Sequence, residues 1–144
     1  MKKDIILSGV GGQGILSIAA IIGEASLAEG LYIKQAEVHG MSQRGGDVQS
    51  NLRVSSEPVH SDLIAQGRAD AIISLEPMEA LRYLPYLSES GWIVTNTAAF
   101  VNIPNYPDNE KLLDELRGMP NVILVDADNL AREGGVGRAV NMVL

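Results

Sequence analysis

Apolar residues occur along this chain in short runs, separated by glycine-rich or polar breaks. Ile5–Ser8, Tyr32–Val38, Ala71–Leu75, Trp92–Thr95 and Val122–Val125 read as strands buried on both faces. Ala71-Ile72-Ile73-Ser74-Leu75 and Val122-Ile123-Leu124-Val125 are nearly continuous, as parallel strands covered by helices require. Between the runs lie helical stretches, predicted over Ile15–Glu29, Pro77–Leu87, Asn109–Arg117 and Asp128–Arg132. In the first, Ile15, Ile18, Ala19 and Ile22 form a sheet-facing stripe, and Leu16, Ala20 and Ile21 imply a covered back. Pro77 suits a first helical position, and Glu79 suits the positive end of that helix's dipole.

Strand and helix alternating in this way predict an α/β fold. We expect a doubly wound, mostly parallel sheet, a Rossmann- or flavodoxin-like three-layer sandwich. One segment breaks the rhythm. Val48, Ser50, Leu52 and Val54 alternate with Gln49, Asn51, Arg53 and Ser55. That period of two predicts one extra strand, half exposed and free to pair antiparallel. An irregular polar loop from Val38 to Gly46 precedes it in place of a crossover helix. After Gly134-Gly135-Val136-Gly137, Arg138–Leu144 reads as the start of another apolar helix, so residues 1–144 are expected to form one domain lacking its C-terminal part.

The break after the first strand is the most specific local signal. Gly9-Val10-Gly11-Gly12-Gln13-Gly14 has the G-x-G-x-x-G spacing that turns a strand into a helix and offers backbone N–H groups to a phosphate. In that reading Gly9 makes the tight turn, Gly11 clears space for a ligand, and Gly14 lets helix and strand approach closely. Close packing alone could select the same glycines. Ile5 to Gly23 carries no charge and so invites a membrane reading. Its glycines and Gln13 would make a poor lipid-facing helix, and Lys2-Lys3 is followed at once by Asp4 with no cleavage site. We therefore expect no membrane association and a cytoplasmic protein.

Composition narrows the chemistry. The 144 residues are 46% hydrophobic, enough for one real core and too apolar for a disordered tail. There is no cysteine, so this chain supplies no disulfide, thiolate nucleophile or iron–sulfur ligand of its own. Only His39 and His60 could offer imidazole, which argues against a histidine-based metal site. A net charge of −7 argues against a nucleic-acid partner.

A second stretch, Glu37-Val38-His39-Gly40-Met41-Ser42-Gln43-Arg44-Gly45-Gly46, sets polar side chains beyond a strand's C-terminal end, the rim where open α/β sheets bind ligands. Ser42, Gln43 and Arg44 are its candidates; a solvated loop is the plainer reading. His39 could carry a proton or brace the loop. Asn96 and Thr97, after the fourth strand, should share the rim with the glycine loop. Glu76 and Glu79 could act as an acid/base pair, but a strand-end cap and a first-turn acid are more ordinary roles. Asp126 and Asp128 offer half a metal site, or Asp128 as a helix N-cap. No catalytic residue is assigned.

Together these stretches carry a resemblance. G-V-G-G-Q-G-I, E-V-H-G-M-S-Q-R-G-G and L-E-P-M-E-A-L-R-Y at Leu75–Tyr83 resemble the gamma-type domain of 2-oxoacid:ferredoxin oxidoreductases (the pyruvate/ketoacid oxidoreductase gamma domain). The resemblance covers essentially the whole chain and is nearest to the beta-subunit type of the indolepyruvate branch. It implies an enzyme that decarboxylates a 2-oxoacid, an arylpyruvate in that branch, passes two electrons to ferredoxin and transfers the acyl group to coenzyme A. It also implies that thiamine diphosphate and the iron–sulfur clusters sit on a larger partner subunit. The gamma-type domain would handle coenzyme A and pack against that partner, or against a second copy when isolated, and would be inactive alone. Gly9, Gly11, Gly12, Gln13 and Gly14 would then form a phosphate or pantetheine cradle, with Ser42, Gln43 and Arg44 facing ligand or partner. Two rivals stand beside this reading: a stand-alone NAD- or nucleotide-binding module with Glu37 on the ribose, and a scaffold without a redox partner.

Overall fold

The computed structural model describes residues 1–39 and 45–144. Strands β1 (Lys2–Val10), β2 (Tyr32–His39), β3 (Asp47–Ser55), β4 (Ala69–Ser74), β5 (Leu87–Asn96) and β6 (Val122–Val125) form one sheet in the order β2-β3-β1-β4-β5-β6. β1, β4, β5 and β6 are mutually parallel, and β3 runs antiparallel to both β1 and β2. Helices α1 (Ile15–Ala28), α2 (Pro77–Arg82), α3 (Asn109–Arg117) and α4 (Ala127–Glu133) complete the fold. Among the described residues no helix is long and apolar enough to cross a membrane.

The alternation of side chains along the strands divides the core in two. On one face Leu7, Leu52, Val54 and Leu75 meet Ile15, Ile18 and Ala19 of α1. On the other, Ile6, Ile72 and Ile93 meet Ala80 and Tyr83 around α2, and Leu113 and Leu116 of α3. Ile6, Leu7, Leu52 and Ile72 are fully buried, each stabilising the fold by about 1.5–3 kcal/mol relative to exposure. This is the three-layer, mostly parallel sandwich that the pattern predicts.

The exposed strand is a different one from that expected. β3 lies inside the sheet, with Gln49 to Leu52 all buried, whereas β2 is an edge strand with Tyr32 and Val38 half exposed. Polar residues of β3 are buried with partners from β2 and from the segment after β3. Asn51 Oδ1 accepts from the Ile64 amide at 3.1 Å, and Ser50 Oγ accepts from Gln35 Nε2 at 3.2 Å. Helix α2 is shorter than predicted. It stops at Arg82 and continues as a single 3-10 turn, Leu84–Tyr86, because Pro85 has no N–H and its ring disfavours a helical residue before it. The segment after Gly137 also forms only a 3-10 turn, Val140–Met142.

Asp4 and Arg53 are direct cross-strand neighbours on β1 and β3. Arg53 Nε and Nη2 donate to the two Asp4 oxygens at 2.8 and 3.2 Å, and its Nη1 donates to the Ser61 and Leu63 carbonyls. Burial of the Asp4 carboxyl would raise its pKa. Hydrogen bonds and charge from Arg53 and Lys2 outweigh that and hold it below the ordinary 3.8. A depressed carboxyl stabilises the fold above its unfolded pKa, and that contribution is lost as pH falls through the folded one. Asp4→Asn should therefore cost about 1–3 kcal/mol at neutral pH and flatten the acid limb of stability below about pH 4. Urea titrations at several pH values check both effects.

Candidate functional site

The glycine loop, residues 11–14, joins the C-terminal end of β1 to α1, at the rim where the winding of the sheet changes direction. Gly12 has φ +102° and nothing within 4 Å of where a Cβ would stand, so it faces open space in a backbone shape that only glycine holds easily. Gly14 is the helix N-cap, with φ +88° and no side-chain acceptor to offer, and α1 carries no acid in its first turn. The first-turn N–H groups of an α-helix have no intrahelical partner, so this end of α1 presents donors and a partial positive charge.

Other parts of the loop are committed to structure. Gly11 N donates to the Gly46 carbonyl at 2.8 Å and its carbonyl accepts from Gly45 N, which ties the loop to the start of β3. Gln13 folds back, its Oε1 accepting from Val10 N at 2.7 Å and its Nε2 donating to the Leu75 carbonyl at 3.3 Å. A Cβ at Gly9 would stand 2.8 Å from Ile15 Cδ1 and 2.9 Å from Gln13 Oε1, side-chain ends that would have to shift. Gly14 serves another contact than the one expected of it. A Cβ at Gly14 would stand 2.6 Å from Asn141 Nδ2, which donates to the Gly14 carbonyl. Gly23 of α1 faces the sheet, where a Cβ would stand 3.1 Å from Ile33 Cδ1.

Two cavities flank the loop and share Gly12. One, of about 370 Å3, lies between Gly12, Gly14 and Leu16 on one side and Glu37, His39 and Val48 on the other. The second, of about 240 Å3, is lined by Gly12, Gln13, Asn96, Phe100, Asp128 and Arg138, among others. Larger hollows of about 470 and 530 Å3 occur around Lys2 and Arg53, where the Arg53 head is already held by Asp4 and two carbonyls. Asn96 reaches the rim as expected: its Nδ2 donates to Asp128 Oδ2 at 2.8 Å and its Oδ1 accepts from Ala127 N. Thr97 is not among the residues lining that cavity; its amide and carbonyl bond Val125 and Asn109. Ser42, Gln43 and Arg44 lie outside the described residues.

Glu76 and Glu79, both fully buried, take the ordinary roles. Glu76 caps α2, its Oε2 accepting from Glu79 N at 2.9 Å. Its Oε1 accepts from the Tyr106 hydroxyl and, at 3.4 Å, from Phe100 N, so it anchors the segment that lines the second cavity. Asn102 Nδ2 ties the same segment to the Gly45 carbonyl at 2.7 Å. Burial pushes the Glu79 carboxyl up, Arg82 opposes, and the Glu76 and Asp47 charges add to the rise. A raised carboxyl stabilises the fold below its unfolded pKa, and that contribution is lost as pH rises through the folded one. Tyr106 and Tyr83 are both raised, first by burial and then by the carboxylates that accept from them, Glu76 and Asp47. The cap of α4 is Asp126, which accepts from Asn129 N, and not Asp128, which turns to Asn96 instead. Arg138 and Phe100 are the lining residues that sequence reasoning missed. Nothing local marks them, and only the folded topology brings them beside the glycine loop.

Comparison with known proteins settles the family. The model of the family described as pyruvate ferredoxin/flavodoxin oxidoreductase matches residues 4–144. The chain belongs to that family. It is 38% identical over 151 residues to the indolepyruvate oxidoreductase subunit IorB of Archaeoglobus fulgidus, an alignment covering 100% of this chain and 74% of that one. The crystal structure of the pyruvate oxidoreductase subunit PORC of Thermotoga maritima superposes with a TM-score of 0.70 at 22% identity, covering 99% of this chain and 72% of that one. A 2-oxoglutarate:ferredoxin oxidoreductase from Magnetococcus marinus, solved with 2-oxoglutarate, coenzyme A and succinyl-CoA, matches at 0.70 and 18% identity. There 98% of this chain is covered, but only 23% of the larger one. At these identities the two solved structures speak to the fold alone, and the fold agrees.

Proposed function

We propose that this chain is the thiamine-free, cluster-free subunit of a 2-oxoacid:ferredoxin oxidoreductase of the indolepyruvate type. In the assembled enzyme the 2-oxoacid loses its carboxyl as CO2, its acyl carbon is transferred to the coenzyme A sulfur, and two electrons pass to ferredoxin. Relatives named as indolepyruvate oxidoreductase subunits support the substrate class. The absence of cysteine supports clusters held elsewhere. This chain's own part is coenzyme A handling and packing against the larger subunit. The observation that carries it is the glycine loop: open at Gly12, uncapped at Gly14, and set between two cavities. Gly9, Gly11 and Gln13 shape the cradle, while the Gly12 N–H and the first turn of α1 face the anion. On the resemblance alone, Ser42, Gln43 and Arg44 are assigned to face ligand or partner.

A nicotinamide-binding module is the second reading, because Glu37 lines a cavity beside the glycine loop, as a ribose-binding acid would. Against it, β3 separates β2 from β1 and sets Glu37 one strand, about 4.8 Å, farther from the loop than a direct β1–β2 neighbour would be. Gly12→Val separates the readings. Its branched side chain needs a backbone shape that L-residues avoid and stands where the anion's donors point. Coenzyme A affinity of the assembled enzyme should fall by about 1–3 kcal/mol. Unchanged affinity in a folded variant returns the loop to a packing role, and tighter binding of NAD than of coenzyme A favours the second reading.

A further inference from the structure

The two cavities beside the glycine loop differ in charge. Among the described residues, the larger is lined by Glu37 and by no lysine or arginine. The smaller sets a cation, Arg138, beside the acid Asp128, and Arg138 has no carboxylate within ion-pair distance among the described residues. Coenzyme A, the ligand assigned above, is most highly charged at its adenosine end, which bears a 3′-phosphate and a 5′-diphosphate. A phosphate placed against Glu37 would be repelled, and the same phosphate against a guanidinium gains charge-assisted, bidentate hydrogen bonds.

The rest of the smaller cavity suits a nucleoside. Phe100, the chain's sole phenylalanine, is 43% exposed and lines this cavity beside Ala98 and Ala99. Its backbone is held by Glu76, so an exposed aromatic face is offered from a fixed position. Aromatic faces stack on nucleobases. The one acid lining the cavity, Asp128, has an oxygen engaged by Asn96 Nδ2 and can accept from a ribose hydroxyl or an adenine amine. At about 240 Å3 the space suits the end of a ligand and not the whole of coenzyme A.

We infer that the cavity between the glycine loop, Phe100 and Arg138 takes the 3′-phosphoadenosine end of coenzyme A, with Arg138 selecting for the 3′-phosphate. This rests on the coenzyme A reading and adds where, and by which residues, its phosphorylated end is recognised. The pantetheine arm then leaves the cavity past the loop.

The test is calorimetric titration of the protein in its native assembly with coenzyme A and with 3′-dephospho-coenzyme A. Arg138 is exposed, so Arg138→Gln should keep the wild-type melting temperature. It should weaken coenzyme A about 10–100-fold while changing dephospho-coenzyme A less than about twofold. Phe100→Ala should weaken both ligands alike, by about fivefold or more. Equal effects of Arg138→Gln on the two ligands, or no effect on either, overturn the assignment while coenzyme A binding by the wild type stands. A wild-type assembly that binds neither ligand overturns the coenzyme A reading itself, and this site with it.

Discussion

Glu76→Ala will destabilise the protein by about 3–5 kcal/mol, at the upper end of what one substitution does. Three donors converge on this one buried carboxylate: the Tyr106 hydroxyl, the Phe100 amide and the Glu79 amide. Alanine leaves all three without an acceptor, and each buried donor without a partner costs about 1–3 kcal/mol, less whatever water recovers. One of the three, the Glu79 amide, is the N-cap bond of α2, so the lost cap is already within that sum. The damage should reach beyond stability, because Tyr106 and Phe100 lie on the segment that walls the smaller cavity. Glu76→Gln is the informative companion. It keeps an acceptor for Tyr106 and should recover more than half of the loss. Urea unfolding of both variants decides the matter. A Glu76→Ala protein within 1 kcal/mol of wild type would show that the segment is held by other contacts.

Much of this architecture is written locally. The strand positions and the glycine loop follow from runs of apolar residues and from spacing, because each depends on a few consecutive side chains. Residues whose roles depend on distant partners are less legible. The alternation in β3 reads as one wet face, yet Asn51 is roofed by Ile64, thirteen positions on, whose amide it accepts. Gly14 looks like a packing glycine for its own helix, but its φ of +88° sets the requirement there and the nearest neighbour is the distant Asn141 amide. In sequence Asp128 reads as the cap of the last helix. The backbone turn makes Asp126 the cap and leaves Asp128 to Asn96. Gln13 sits within a loop that reads as a cradle, while its amide braces that loop from inside. Arg138 is invisible until the chain folds, since its neighbour across the cavity is Gly12.

The division of labour between this chain and a larger subunit is the central claim, and its effect should be all or none. This chain has no cysteine to hold a cluster, and its buried acids Glu76 and Glu79 are bound up in caps and ion pairs. On the proposed division of labour its contribution to turnover is positional, and neither the decarboxylation nor the electron transfer is expected on it alone. Purified to remove partner protein, it should be colourless and show no oxidation of an arylpyruvate. Addition of the larger subunit, thiamine diphosphate and coenzyme A should then restore substrate-dependent reduction of ferredoxin or a viologen dye. The decisive measurement is that rate, read as viologen absorbance with each component omitted in turn. No rate is expected without either subunit, and full rate only when both are present; arylpyruvate oxidation by this chain alone would contradict the division of labour.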